Sequence, residues 1–140
     1  MSLAVGALLA IVVGAFATLA GLDKDRAFYP IVTIIVASYS ALFAVMGADS
    51  QTLIAEMVAG AVFLALALAG FRRSLWLVVV ALAGHGLFDL VHGAVINNPG
   101  VPVWWPGFCL AYDIVAAVYL GWLIRSGRVP TAPRRTGEGS

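Results

Sequence analysis

Five long apolar runs, each closed by a short polar or turn-forming stretch, dominate the order of hydrophobic and polar residues along the chain. They cover residues 3–22, 28–46, 51–71, 74–96 and 106–125. An α-helix rises 1.5 Å per residue, so about 20 apolar residues cross the hydrocarbon layer of a membrane, and each run holds roughly that number. The pattern therefore predicts an all-α, polytopic membrane protein with five transmembrane helices.

The stretches between the runs carry signals that end or begin helices. Gly21 and Gly47 close the first two runs, and Asp49 with Ser50 forms an N-cap pair before the third. The sequence NNPG at 97–100 is a strong turn signal before the fifth run. We interpret its two asparagines, Asn97 and Asn98, as helix-ending turn residues, and hydrogen bonding at the rim of a pocket is the alternative.

Composition supports a membrane protein with one domain. Hydrophobic residues make up 62% of the 140 residues and charged residues 11%, with a mean hydropathy of +1.00. Soluble domains have about 25% charged residues. A net charge of +1 without a basic, aromatic-rich patch argues against a nucleic-acid partner, and one cysteine excludes an intramolecular disulfide. We predict a transmembrane domain at 1–125 and a disordered cytoplasmic tail at 126–140.

The basic residues predict how the helices are oriented. They are Lys24, Arg26, Arg72, Arg73, Arg125, Arg128, Arg134 and Arg135. If five helices cross, all eight lie on one side, and the positive-inside rule makes that side cytoplasmic. We therefore expect the N-terminus outside and the C-terminus in the cytoplasm. The first run lacks the basic flank of a signal peptide and exceeds the usual length of its apolar core, so we interpret it as a helix.

A polar constellation interrupts the apolar runs at one depth of the predicted bundle. His85, Asp89 and His92 have spacings of four and three residues, which place them on one face of the fourth helix. With His85 near the midplane, Asp89 lies about 6 Å and His92 about 10 Å further outward. Asp113 and Glu56 enter from the outer side to depths of about 10 Å and 9 Å. These five residues predict a single pocket that opens outward.

The buried acids have no basic residue to pair with, which limits how they are neutralised. An ionised carboxylate at the centre of a membrane helix costs about 2.5–3.5 kcal/mol on insertion scales. Glu56, Asp89 and Asp113 therefore need bound protons, protonated histidines or a captured cation. We weigh three interpretations: hydrogen-bonded clamps between helices, a zinc-like divalent metal site formed by His85, Asp89, His92, Asp113 and Glu56, and a proton or substrate relay.

Three function classes follow from these interpretations. The first is a binding or transport protein for a divalent cation or protons, and transport through so small a chain would require a homo-oligomer. The second is a membrane-embedded, metal-dependent enzyme for a lipid-like substrate, with Glu56 or Asp113 as general base. The third is a structural or accessory membrane subunit without chemistry of its own.

Small residues are expected to serve packing. Gly6, Ala10, Gly14 and Thr18 recur every four residues in the first run, a spacing that lets helix backbones approach closely in lipid. Intramolecular packing is our preferred interpretation of this stripe, and a dimer seam is the alternative. We interpret Cys109 as a small buried packing residue, as lone cysteines commonly are.

The residues at 84–89 and 98–109, together with Asp113, resemble a family of small bacterial integral membrane proteins defined as a domain of unknown function. The resemblance implies a bacterial source and a multi-pass location in the inner (plasma) membrane. The His85-xxx-Asp89 pair is also similar to ligand pairs of cation-diffusion-facilitator zinc transporters. That similarity is one motif wide, because the chain lacks their sixth helix and their cytoplasmic metal domain.

Overall fold

The computed structural model describes residues 1–133, and these form five α-helices without a β-strand. The helices are α1 (Ser2–Ala20), α2 (Phe28–Gly47), α3 (Ser50–Arg72), α4 (Trp76–Val95) and α5 (Trp105–Arg125). All five are long and apolar enough to cross a membrane. The predicted all-α, five-helix architecture is therefore confirmed, and the helices indicate a multi-pass membrane protein.

Local sequence explains where two of the helices begin and end. Gly21 takes a left-handed conformation with φ of 75°, which ends α1 and directs its N–H to the last carbonyls of the helix. The Asp49 carboxylate accepts a 2.8 Å hydrogen bond from the Thr52 N–H at the start of α3. That backbone hydrogen bond lowers the pKa of Asp49, since it favours the ionised form.

The helices do not pack in chain order. α5 lies against both α4 and α1, while α3 lies against α2 and, over a smaller surface, against α4. Half of the most apolar stretch of α5 is buried, compared with 22% in α1. α5 is therefore the most buried helix, and neighbouring helices pack in the order α1, α5, α4, α3, α2.

The small-residue stripe of α1 lies against α5. A Cβ atom added at Gly6 would collide with the carbonyl oxygen of Phe108, and one at Gly14 would lie 3.0 Å from the ring of Tyr119. Thr18 continues the contact through a 3.1 Å hydrogen bond to the Tyr119 hydroxyl. In this structure the stripe is thus an intramolecular packing surface, which lets the two backbones approach closely.

Three connections meet at one end of the bundle, which we call the basic end. The Arg26 guanidinium donates hydrogen bonds to the carbonyls of Pro130 and Thr131 and reaches that of Gly70. Burial lowers the pKa of Arg26. Leu75 donates its N–H to the same Thr131 carbonyl. The packed chain therefore continues past the end of α5, into the region predicted to be a tail.

The predicted disordered tail covers 126–140, and residues 134–140 of it lie outside the described residues. Within its first part, Val129 is 2% exposed and belongs to the apolar core. The Arg128 guanidinium stacks over the ring of Trp122 at 4.6 Å from the ring centroid. The segment after α5 is consequently held against the basic end through both apolar and polar contacts.

At the opposite end, the connection 96–104 folds back over α2 and α3. Gly100 sits against the backbone of α2, where an added Cβ would collide with the Phe43 carbonyl oxygen. The Trp105 ring packs edge-on against Tyr39 and Phe43, with centroids 5.0 Å and 4.9 Å away. This connection therefore covers the end of α2 and the start of α3.

Candidate metal centre

The polar residues singled out in the sequence form two separate clusters. His85, Asp89 and Asp113 form the first, which we call the Asp-His-Asp cluster, between α4 and α5. Glu56 and His92 meet in a second cluster between α3 and α4. All five side chains are buried.

The Asp-His-Asp cluster is built around one imidazole. Nδ1 of His85 lies 2.7 Å from Oδ2 of Asp113, in a hydrogen bond, and 3.8 Å from Oδ2 of Asp89. One potential metal-ligand atom from each of the three residues lies within 4.8 Å of the other two. The exposed fractions are 3% for His85 and Asp89 and 0% for Asp113, so the group is enclosed by protein.

Close approach of α4 and α5 brings these side chains together. A Cβ at Gly86 would lie 3.1 Å from the Cβ of Asp113 and 3.2 Å from the carbonyl oxygen of Leu110. Glycine at this position therefore lets the helices come near enough for Asp113 to reach His85. The ring of Phe63 from α3 packs edge-on against the imidazole at 4.8 Å and limits its rotation.

The acids of this cluster have more acceptor atoms than the surrounding residues satisfy. Oδ2 of Asp89 and Oδ1 of Asp113 are buried and have no hydrogen-bond partner within residues 1–133. The Cys109 thiol lies beside the Asp89 carboxylate, where it is a weak donor. Buried polar atoms are normally paired, so these two oxygens beside one imidazole form a group that could hold a metal ion.

The second cluster is completed by an asparagine and is named the Glu-His-Asn cluster. Nε2 of His92 lies 2.8 Å from Oε1 of Glu56. The Asn98 amide donates to the same Glu56 oxygen at 2.7 Å and to the carbonyl of Ser40 at 3.0 Å. Its own oxygen accepts the N–H of Gly100 at 3.1 Å. Asn98 thereby joins the connection 96–104 to α2 and α3.

Three features of the site differ from the sequence-based picture. The five residues divide into two clusters and all are buried, where one pocket with an outward opening was expected. Asp113 was predicted to lie level with Asp89, but it hydrogen-bonds to His85, which is one helical turn deeper in the bundle. Asn98 was interpreted first as a turn residue, with hydrogen bonding at a pocket rim as the alternative, and it is 8% exposed and hydrogen-bonded to a buried acid. Its position before Pro99 favoured the turn role over this second one.

A small cavity lies between the two clusters. Its volume is about 10 Å³, and its lining includes Glu56, Ser40 and His85. This is about the room that one water molecule needs, and the lining supplies polar partners for one. The clusters are therefore separate groups with room for a single water between them.

The donor set of the Asp-His-Asp cluster fits a transition metal such as zinc. Imidazole nitrogen and carboxylate oxygen bind zinc at about 2.0–2.2 Å, so two ligand atoms on one tetrahedral ion lie about 3.3–3.6 Å apart. The separation of up to 4.8 Å found here thus closes on an ion with side-chain movements of roughly an ångström. Three protein ligands leave a fourth position for another donor.

Comparison with known proteins found no matching family model, no matching curated protein and no matching solved structure. The fold and site alone define the chain as a multi-pass membrane protein with a buried His/Asp/Asp group that could hold a metal ion. The resemblance to a bacterial membrane family remains a prediction.

Proposed function

We propose that this protein binds one divalent cation of the zinc class at the Asp-His-Asp cluster, within the hydrocarbon layer. The observation that carries the proposal is the pair of buried, unpartnered oxygens of Asp89 and Asp113 beside the single imidazole of His85. Two ionised carboxylates with a neutral imidazole carry a charge of −2. A divalent cation cancels that charge and uses all three groups as ligands.

The Glu-His-Asn cluster takes a supporting role in this proposal. Glu56 and His92 form a one-to-one pair that has no net charge in two states. One is a carboxylate with a protonated imidazole, and the other is a protonated carboxyl group with a neutral imidazole. Asn98 holds Glu56 in place. Of the five residues first considered as ligands, we therefore assign His85, Asp89 and Asp113 to the metal. Glu56 and His92 hold α3, α4 and the connection 96–104 together.

Orientation and location complete the proposal. Every lysine and arginine within residues 1–133 lies at the basic end, which supports a cytoplasmic position for that end and an external N-terminus. The inner (plasma) membrane is the location consistent with this orientation. We propose a binding or transport role. Since the cluster is enclosed within one chain, transport would require a homo-oligomer or an opening of the bundle.

One observation favours a second candidate function, a membrane-embedded metal-dependent enzyme for a lipid-like substrate. Cys109, which lies beside Asp89, is also part of the wall of a large apolar groove between α1, α2 and α5. A substrate in that groove would lie within one side chain of the cluster. In this role the metal would supply Lewis acidity or an activated water when bound.

Metal analysis of the detergent-purified protein tests the proposal. We expect close to one zinc per chain in the wild type and very little in Asp89→Asn and His85→Ala, because each removes a ligand. A zinc-edge absorption spectrum should show nitrogen and oxygen ligands at about 2.0–2.2 Å. Equal, negligible metal in all three proteins would contradict the metal site and favour a structural or accessory subunit.

A further inference from the structure

A deep groove, which we call the lateral groove, runs between α1, α2 and α5. Its volume is about 340 Å³, within the range of small-molecule sites. Its walls are aliphatic and aromatic, with Leu9, Val36 and Phe108 among the lining residues, and very little of the lining surface is polar. The groove is therefore suited to an apolar ligand.

The way α1 packs explains why this groove stays open. Gly6 lets α1 press against the backbone of α5, and α1 makes little contact with α2 although the two are consecutive. The gap between α1 and α2 is thus set by a close helix contact on the other side of α1. Leu9 and Ile35 on its rims are 42% and 48% exposed, so the groove opens on the outer surface of the bundle.

The position of the groove defines its surroundings. Its α2 wall runs from Val32 to Tyr39 and its α5 wall from Trp105 to Tyr112, each about 10 Å of helix. Both walls belong to helices long and apolar enough to cross a membrane. The groove runs from the start of α5 toward the middle of α2, so its inner part opens to hydrocarbon chains, since water is excluded from the bilayer core. Walls about 10 Å long leave room for part of a linear chain.

The floor of the groove adjoins the candidate metal centre. Cys109 is one of the residues that line the groove, only 1% of its surface is exposed, and it lies beside the Asp89 carboxylate. One side chain therefore separates a ligand in the groove from the Asp-His-Asp cluster. A second groove of about 500 Å³, lined by Val79, Ala83 and Trp122 among others, lies toward the basic end; it is larger but more open, so it holds a chain less firmly, and its lining includes no residue of the cluster.

We propose that the lateral groove binds one hydrocarbon chain of a membrane lipid and holds it against Cys109. Binding of the chain does not depend on a metal. Its chemical significance does rest on the proposed metal site, because the groove would deliver an amphiphile to the cluster and would define the substrate class of the second candidate function.

Lipid retention measures this binding in the full-length protein. Wild-type protein, reconstituted with phospholipid that carries a diazirine in its acyl chain, is extracted in mild detergent, delipidated and analysed by native mass spectrometry. We expect one lipid to remain per chain. On illumination it should form crosslinks to the α5 peptide that contains Phe108, Cys109 and Tyr112.

A groove-filling variant and a matched control make the test specific. Val36→Trp fills the lateral groove and should lose the retained lipid, whereas Ala83→Trp fills the second groove and should keep it. Unchanged helical circular dichroism and zinc content show that Val36→Trp still folds, and Leu9→Trp on the opposite rim gives an independent repeat.

The outcomes separate this inference from the metal proposal. Equal lipid retention in the wild type, Val36→Trp and Leu9→Trp overturns the inference. A wild-type dimer without lipid also overturns it, because a second copy of the chain would then cover the groove. A wild type that retains lipid but no zinc overturns the metal site alone. One that retains zinc but no lipid overturns the groove proposal alone.

Discussion

The two buried clusters use the same residue types in different proportions. The Asp-His-Asp cluster has two carboxylates for one imidazole, and each acid keeps an oxygen without a partner. The Glu-His-Asn cluster has one carboxylate for one imidazole and adds the Asn98 amide, which donates to that acid and to the backbone of α2. Both are enclosed in an apolar bundle, and their two imidazoles lie about two helical turns apart along α4.

This difference in proportion indicates different tasks. A one-to-one pair can balance its own charge and also connects three parts of the chain, so it acts as a clamp. Two acids around one imidazole keep a net negative charge unless a proton or cation joins them, and that is costly in hydrocarbon. One unpaired oxygen of Glu56 remains in the clamp, and the water-sized cavity beside it offers a partner.

The largest expected difference between the clusters is in metal affinity. Asp113→Asn should weaken zinc binding more than about 100-fold, because it removes a ligand, while Glu56→Gln should weaken it about tenfold or less. Competition with a chromophoric chelator in detergent measures both. Comparable losses in the two variants would contradict the division and would restore Glu56 to the ligand set.

The second difference concerns stability without metal. In chelator-treated protein, Asp89→Asn should raise the free energy of unfolding by about 1–3 kcal/mol, since it removes an unpaired buried carboxylate. Unfolding of the protein in mixed micelles, followed by circular dichroism, measures the change. In excess zinc the sign should reverse, because only the wild type gains binding energy. A metal-free variant that is less stable than the wild type would show that the Asp89 carboxylate already has favourable partners without a metal.

The smallest of the three effects tests the clamp. Asn98→Ala should lower the free energy of unfolding by about 1–2 kcal/mol, because Glu56 and the Ser40 carbonyl lose a buried donor. Its neighbour Asn97 is exposed and contributes only its backbone carbonyl to a hydrogen bond, so Asn97→Ala should change stability by about 0.5 kcal/mol or less. Equal effects of the two substitutions would argue against a clamp at Asn98.

Sequence patterns predicted the helices well because the membrane imposes a length on them. The second run was predicted at 28–46 and forms a helix over Phe28–Gly47, while the fourth was predicted at 74–96 and forms Trp76–Val95. Packing order could not be predicted in this way. Nothing in the apolar pattern shows that α1 lies against α5, because lipid and protein accept the same side chains.

The sequence pattern predicted which half of the bundle holds the acids, but not which partner each acid faces. Counting residues from the loops placed Glu56, Asp89 and Asp113 in the same half of the bundle, and two of these acids do meet around His85. The rotation of each helix decides which partner an acid faces, and it depends on close contacts such as that at Gly86. The role of Asn98 arises from the path of a connection, which a turn motif does not specify.

The contact between α1 and α5 has a consequence for biogenesis. Among these five helices α1 leaves the ribosome first and its main partner α5 leaves it last, so α1 must wait in the translocon or the lipid until α5 has been made. During that interval its glycine-rich face is bare, and the imidazole of His85 has yet to meet Asp113. Arrival of α5 therefore completes the core and the cluster in one late step, and a ribosome that stalls before α5 releases a chain with neither.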